Sequence, residues 1–201
     1  ENERESLPSV NLSLDGKDPF GFLENFYLSK KGTQVISQVL SGVLGDRRKR
    51  VGTVTAPPGS GKSYLSLLLG TLFCNDKKWN ESILKILSSQ NSFYYSQIEE
   101  SVKQFIKSGT KLLPVYITGE SSNLKKTVLE AVLFSASWKA EEGFEEKLFL
   151  EFKDSLGFQR KSSDLKKLIS RISESFETNE EFFSLYRSIL EFLEKLGFSG
   201  C

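Results

Sequence analysis

Residues 51–63 read Val51-Gly52-Thr53-Val54-Thr55-Ala56-Pro57-Pro58-Gly59-Ser60-Gly61-Lys62-Ser63, and the expected fold turns on them. Apart from Gly52 the first five are β-branched. A short run of this kind, bounded by turn residues, is the pattern of a buried strand. Gly59 and Gly61 free the backbone to bend, so that successive N–H groups converge on one point. From Ser63 onward Leu65, Leu68, Leu69, Leu72 and Phe73 recur at helical spacing, so a helix opens where the loop ends. Strand, glycine loop and helix in that order aim backbone donors and the positive end of a helix dipole at one spot. An anion such as phosphate fits there.

The pattern Gly-x-x-x-x-Gly-Lys-Ser/Thr carries meaning only in that strand-and-helix context. Here Ala56 stands in the place of the first glycine and keeps the position small. Pro57 and Pro58 have no N–H, so the useful donors come from residues 59–63. The Lys62 ammonium is expected between the β- and γ-phosphates of a nucleotide, and the Ser63 hydroxyl on Mg²⁺. The expected nucleotide-contacting set is Pro58, Gly59, Ser60, Gly61, Lys62, Ser63 and Tyr64. ATP with Mg²⁺ is the expected ligand, and Ser63 the expected metal-binding residue.

The run Pro57-Pro58-Gly59-Ser60-Gly61-Lys62-Ser63 resembles the phosphate loops of AAA+ and related ATPases. Over a wider span the chain is similar to the N-terminal part of large ATPases of bacterial phage-defence and restriction systems. The features shared are Phe26-Tyr27 before a helix at 33–44, the loop itself, the apolar segment 112–118 with its following helix, and the closing Leu196-Gly197-Phe198. The resemblance implies ATP hydrolysis that drives conformational work on a protein or DNA partner, and it leaves oligomer formation open. It also implies a Walker B strand ending in Asp-Glu. The nearest candidate, Val115-Tyr116-Ile117-Thr118-Gly119-Glu120, has no Asp and is interrupted by Thr118-Gly119. Glu120 reads first as an ordinary loop acid. Catalytic residues are therefore unassigned, and ATPase activity depends on an acid supplied elsewhere in a longer protein. Two other classes stay open: a small-molecule or nucleotide kinase, and a non-hydrolysing nucleotide sensor of the STAND type.

Along the chain, Val10, Leu12 and Leu14 alternate as in a short edge strand, and Leu112-Leu113-Pro114-Val115-Tyr116-Ile117 reads as a second convincing strand. Helices are expected at 33–44, 61–73, 80–87, 94–107, 124–138, 144–156, 164–176 and 180–196. Together these give an α/β P-loop fold, a parallel sheet flanked by helices. Its core is residues 1–140 with a helical insert at 79–108, and residues 141–201 are a helical insert or lid. The domain is expected to be incomplete, with the chain truncated after residue 201. Segments 51–55 and 112–117 are expected to run parallel without a shared ladder, leaving a gap lined by Val54, Val115 and Ile117.

Composition narrows the chemistry further. The 201 residues are 38% hydrophobic and 26% charged, enough apolar material for a core. There is no histidine and there are two cysteines, Cys74 and Cys201, which excludes the usual zinc sites and His-dependent nucleophilic catalysis. A disulfide framework is not expected, and a reducing cytoplasm is. No apolar run is long enough for a membrane span. The net charge of +1 gives no whole-chain argument for nucleic acid, although residues 141–201 are net acidic and the remainder net basic. Arg47-Arg48-Lys49-Arg50 reads first as a basic turn satisfying a helix C-terminus, and second as added potential for phosphate or nucleic acid. Arg171 and Arg187 read as solvated helix positions. Phe20, Phe22, Phe26 and Tyr27 read as core or adenine-side packing.

Overall fold

The computed structural model describes residues 19–24, 26–45, 53–55, 57, 59–90, 92–117, 123–139, 143–154 and 165–198. Among the described residues there are ten α-helices: α1 (Phe20–Leu23), α2 (Lys30–Val43), α3 (Lys62–Phe73), α4 (Lys77–Ser88), α5 (Ser92–Ser96), α6 (Glu99–Ser108), α7 (Leu124–Lys139), α8 (Phe144–Phe152), α9 (Leu165–Ser173) and α10 (Asn179–Lys195). Among the described residues there is no strand, so the expected α/β fold with a parallel sheet is overturned. Residues 53–55 and 111–117 belong to no regular element, and Val54 and Ile117 are exposed. The expected strand at 10–14 and residues 51–52 lie outside the described residues.

The reason for the failure is physical. A β-branched run is a strand only when a neighbour supplies the ladder. The chain divides into two compact units, Glu1–Thr110 and Lys111–Cys201, and the two candidate strands fall one in each. Neither meets a second strand within its own unit among the described residues. Pro114 also removes a ladder donor from the middle of the second candidate.

The first unit is organised around α3. Tyr64, Leu65, Leu67, Leu68, Gly70, Thr71 and Leu72 are all buried, so this helix is covered on nearly every side rather than along one stripe. It packs on α1 and α4, while α2 packs on α5 and α6. Ile36 and Leu40 of α2, Ile83 and Leu87 of α4, and Val102 and Phe105 of α6 complete the core. Caps explain the helix starts. The Ser29 hydroxyl accepts from the Gly32 N–H at 3.1 Å and opens α2 three residues before the periodic run; the Asp76 carboxylate accepts from the N–H groups of Lys78 and Trp79 and opens α4. The single helix expected at 94–107 is two. Ile98 sits fully buried between α5 and α6, and Glu99 and Glu100 then occupy the first turn of α6, where the helix dipole favours acids.

In the second unit α7 packs on α9 and α10, and α8 on α9. Leu129 and Leu133 of α7, Leu148 of α8, Ile169 and Ile172 of α9 and Ile189 of α10 are fully buried, and Leu113 joins the same core from the irregular segment 111–117. Phe192 of α10 sets its ring edge-on to Phe152 at 6.2 Å, and Phe144 approaches the same ring at 5.8 Å. Thr178 and Glu181 form a capping box at the start of α10. The Thr178 hydroxyl accepts from the Glu181 N–H at 3.2 Å, and the Glu181 carboxylate accepts from the Thr178 N–H at 3.0 Å. Thr178→Ala is expected to lower the stability of this unit by about 1 kcal/mol, measured as a shifted urea midpoint. Thr178→Ser should recover most of the loss.

A charged network joins α7 to the end of α9. Lys126 pairs with Glu174 and lies 3.9 Å from Glu130, and the Ser173 hydroxyl donates to Glu130 at 3.3 Å. The hydrogen bond from Lys126 holds the Glu174 carboxyl below its ordinary value of 4.5, and the bond to Glu174 raises Lys126 above its own. A carboxyl with a lowered folded-state pKa stabilises the fold above its unfolded value, and that contribution disappears as pH falls through the folded value. Glu174→Gln is therefore expected to be less stable than the parent chain near neutrality, with the gap narrowing as pH falls below the ordinary carboxyl value of 4.5. Urea titrations of both chains across that range measure the gap. A gap that stays constant with pH would show that the pair contributes no charge-dependent stability.

Candidate functional site: the glycine loop ahead of α3

Gly59 and Gly61 both adopt the left-handed conformation, with φ of 76° and 82°. A Cβ at either position would meet no neighbour, so backbone conformation rather than space is what calls for glycine there. Gly61 is the N-cap of α3, and the Leu65 N–H returns to the Gly61 carbonyl at 3.0 Å. The N–H groups of the first turn therefore point along the helix axis toward the loop, at the positive end of the α3 dipole.

Lys62 is the first residue of that helix, and its side chain turns back over the loop. Its ammonium donates to the Pro57 carbonyl at 2.9 Å and to the Ser60 hydroxyl at 3.4 Å. This brings a full positive charge to the same side as the helix terminus. Pro57, Gly59, Ser60 and Gly61 are exposed, Lys62 and Ser63 are half-buried, and Tyr64 is buried. The Tyr64 ring lies edge-on to Phe22 at 6.4 Å, so α1 braces the first turn of α3 from behind. A contact from Tyr64 to a nucleotide therefore has to come from its backbone. Its side chain already belongs to the core.

The structure thus brings together Pro57, Gly59, Ser60, Gly61, Lys62 and Ser63 at one helix terminus, while Ala56 and Pro58 lie outside the described residues. Glu120 and the basic turn Arg47-Arg48-Lys49-Arg50 lie outside the described residues. Arg171 and Arg187 are on α9 and α10, in the other compact unit. Phe26 is buried, Phe20 and Phe22 are half-buried, and Tyr27 is exposed at 70%. The Phe20 ring meets Trp79 edge-on at 5.8 Å, so these aromatics mainly fasten α1 to α3 and α4.

For Mg²⁺, no group of three or more His, Cys, Asp or Glu suited to a metal occurs among the described residues. No helix among the described residues is long and apolar enough to cross a membrane.

A polar cluster that sequence reading missed lies at the far end of α3. Asn75 is buried with φ of 45°, and its side chain bonds the carbonyls of Phe105, Ile106 and Thr110 and the amide of Asn80. The available signal was an Asn directly after the last helical residues, a place that favours the left-handed conformation. No protein-family model, no curated protein and no solved structure matches the chain.

Proposed function

We propose that the loop ahead of α3 binds the phosphates of a nucleoside triphosphate, with Mg-ATP as the first ligand to test. The observation that carries the proposal is the Lys62 ammonium, folded over the loop within 2.9 Å of the Pro57 carbonyl. It shares the α3 terminus with two left-handed glycines, Gly59 and Gly61. Two anion-attracting elements, a helix N-terminus and an ammonium, thereby converge on one exposed surface. Binding does not require a sheet; it requires donors, charge and room. Hydrolysis coupled to work on a protein or nucleic-acid partner is the fuller form of the proposal. It would need an acid placed beside the Ser63 hydroxyl.

Calorimetric titration with ATP, in the presence and absence of Mg²⁺, tests the reading directly. Saturable heat is expected with Mg-ATP, competition with tripolyphosphate, and no heat with adenosine, because the recognised group is the phosphate chain. A chain that gives no saturable heat with Mg-ATP is not a nucleotide binder. Heat from adenosine alone would move the site away from this loop.

A further inference from the structure

We propose that Asn75 is a clasp that holds the connector between the two compact units and, on opening, releases it locally. The connector begins where α6 ends. Gly109 is left-handed at φ of 68°, Thr110 is the last residue of the first unit, and Lys111 opens the second. Thr110 is fixed from two sides. Its N–H donates to the Ser108 hydroxyl at 3.2 Å, and its carbonyl accepts from Asn75 Nδ2 at 3.0 Å. The same amide donates to the Ile106 carbonyl at 3.3 Å and the Phe105 carbonyl at 3.5 Å. One side chain therefore gathers the carbonyls at the end of α6 and the first carbonyl beyond it.

The clasp is built to be separable from the core. Asn75 lies just after α3, and its amide is aimed by Asn80 of α4, whose Nδ2 donates to Asn75 Oδ1 at 2.6 Å. Asn75 itself has a positive φ, a conformation asparagine tolerates better than most residues but glycine better still. Rotating the amide away would release the Thr110 carbonyl beside the exposed residues Gly109 and Lys111, while the Ile106 and Phe105 carbonyls keep the Gly109 N–H and the Ser108 hydroxyl as donors and Val102 and Phe105 stay buried. Such an opening is local, and it needs neither unit to unfold.

Trypsin reads the clasp because Lys107 and Lys111 are exposed and flank the connector. Cleavage after Lys111, followed by mass spectrometry against cleavage after Lys195, reports how often the connector opens. Asn75→Gly keeps the positive φ without strain and removes the amide. It is expected to raise the rate after Lys111 about tenfold or more, since several buried or part-buried hydrogen bonds disappear at once, with the helical circular dichroism unchanged. An unchanged rate in the folded variant overturns the proposal. Should Asn75→Gly not fold, hydrogen exchange of the unaltered chain decides. The Asn75 side-chain amide protons should be protected, yet exchange faster than the backbone amides of Val102 and Phe105. Exchange of all of these together, or no protection of the Asn75 side-chain amide, overturns the clasp.

Discussion

Lys62→Ala is expected to weaken Mg-ATP binding by about ten- to a hundredfold, because a hydrogen bond to a charged group contributes about 1.5–3 kcal/mol and each 1.4 kcal/mol is tenfold in affinity. The expectation follows from where the ammonium sits. It donates to the Pro57 carbonyl and the Ser60 hydroxyl. A phosphate oxygen is a stronger acceptor than either and lies within reach of the same flexible side chain. Stability should hardly change, since both of these hydrogen bonds are exposed to solvent, and surface changes of this kind stay within about 0.5 kcal/mol. Lys62→Arg keeps the charge but alters its shape, so an intermediate loss is expected. Ser63→Ala should act differently, removing the advantage that Mg²⁺ gives and sparing metal-free binding. Calorimetry on the folded variants measures all three. Equal affinity in Lys62→Ala and the parent chain would remove the loop from the site.

Much of the helical architecture was legible because its signal is a long period. In α2 Val35, Ile36, Val39, Leu40 and Val43 repeat over more than two turns, and the observed helix runs to Val43. The start of α2 was missed by three residues because the Ser29 cap acts before the periodicity begins. For α10 the Thr178-x-x-Glu181 box marks the beginning in the letters themselves. The two strands failed for a different reason. Residues 51–55 and 112–117 are short apolar runs, and a short run states only that a segment is apolar or β-branched. What makes it a strand is a hydrogen-bonding neighbour, and none is supplied within either unit among the described residues.

The candidate site was legible in its parts. Gly59 and Gly61 take the left-handed backbone that the motif requires, and Lys62 opens the helix. The fold assigned to that motif was not legible, because strand, loop and helix were inferred as a unit from three local patterns. Two of these are present in the structure, the loop and the helix. The return of the Lys62 ammonium to the Pro57 carbonyl and the gathering of three carbonyls by Asn75 are invisible to periodicity, since each depends on one side chain and on atoms the chain brings back by folding.

The largest stability effect should come from Phe105→Ala, about 3–5 kcal/mol, which is a large share of the roughly 5–15 kcal/mol by which a domain of this kind is folded. Phe105 is fully buried on α6, and its ring meets Phe73 of α3 edge-on at 5.5 Å. Truncation would leave a cavity between the loop-bearing helix and α6, and the neighbouring Val102, Ile98 and Leu72 are themselves fully buried or nearly so, with little freedom to collapse into it. Phe105→Leu should cost clearly less, because most of the volume is retained. Tryptophan fluorescence makes the measurement specific to one unit. The chain has two tryptophans, Trp79 in the first unit and Trp138 in the second, so in a Trp138→Phe background Trp79 reports the first unit alone. Urea unfolding followed at Trp79 should shift its midpoint downward by more than about 1 M, given slopes of about 1–3 kcal/mol/M. Phe183→Ala supplies the contrast, since Phe183 is 65% exposed on α10 and its loss should stay within about 0.5 kcal/mol. A Phe105→Ala shift no larger than that of Phe183→Ala would mean that α3 and α6 do not share the packed core described above.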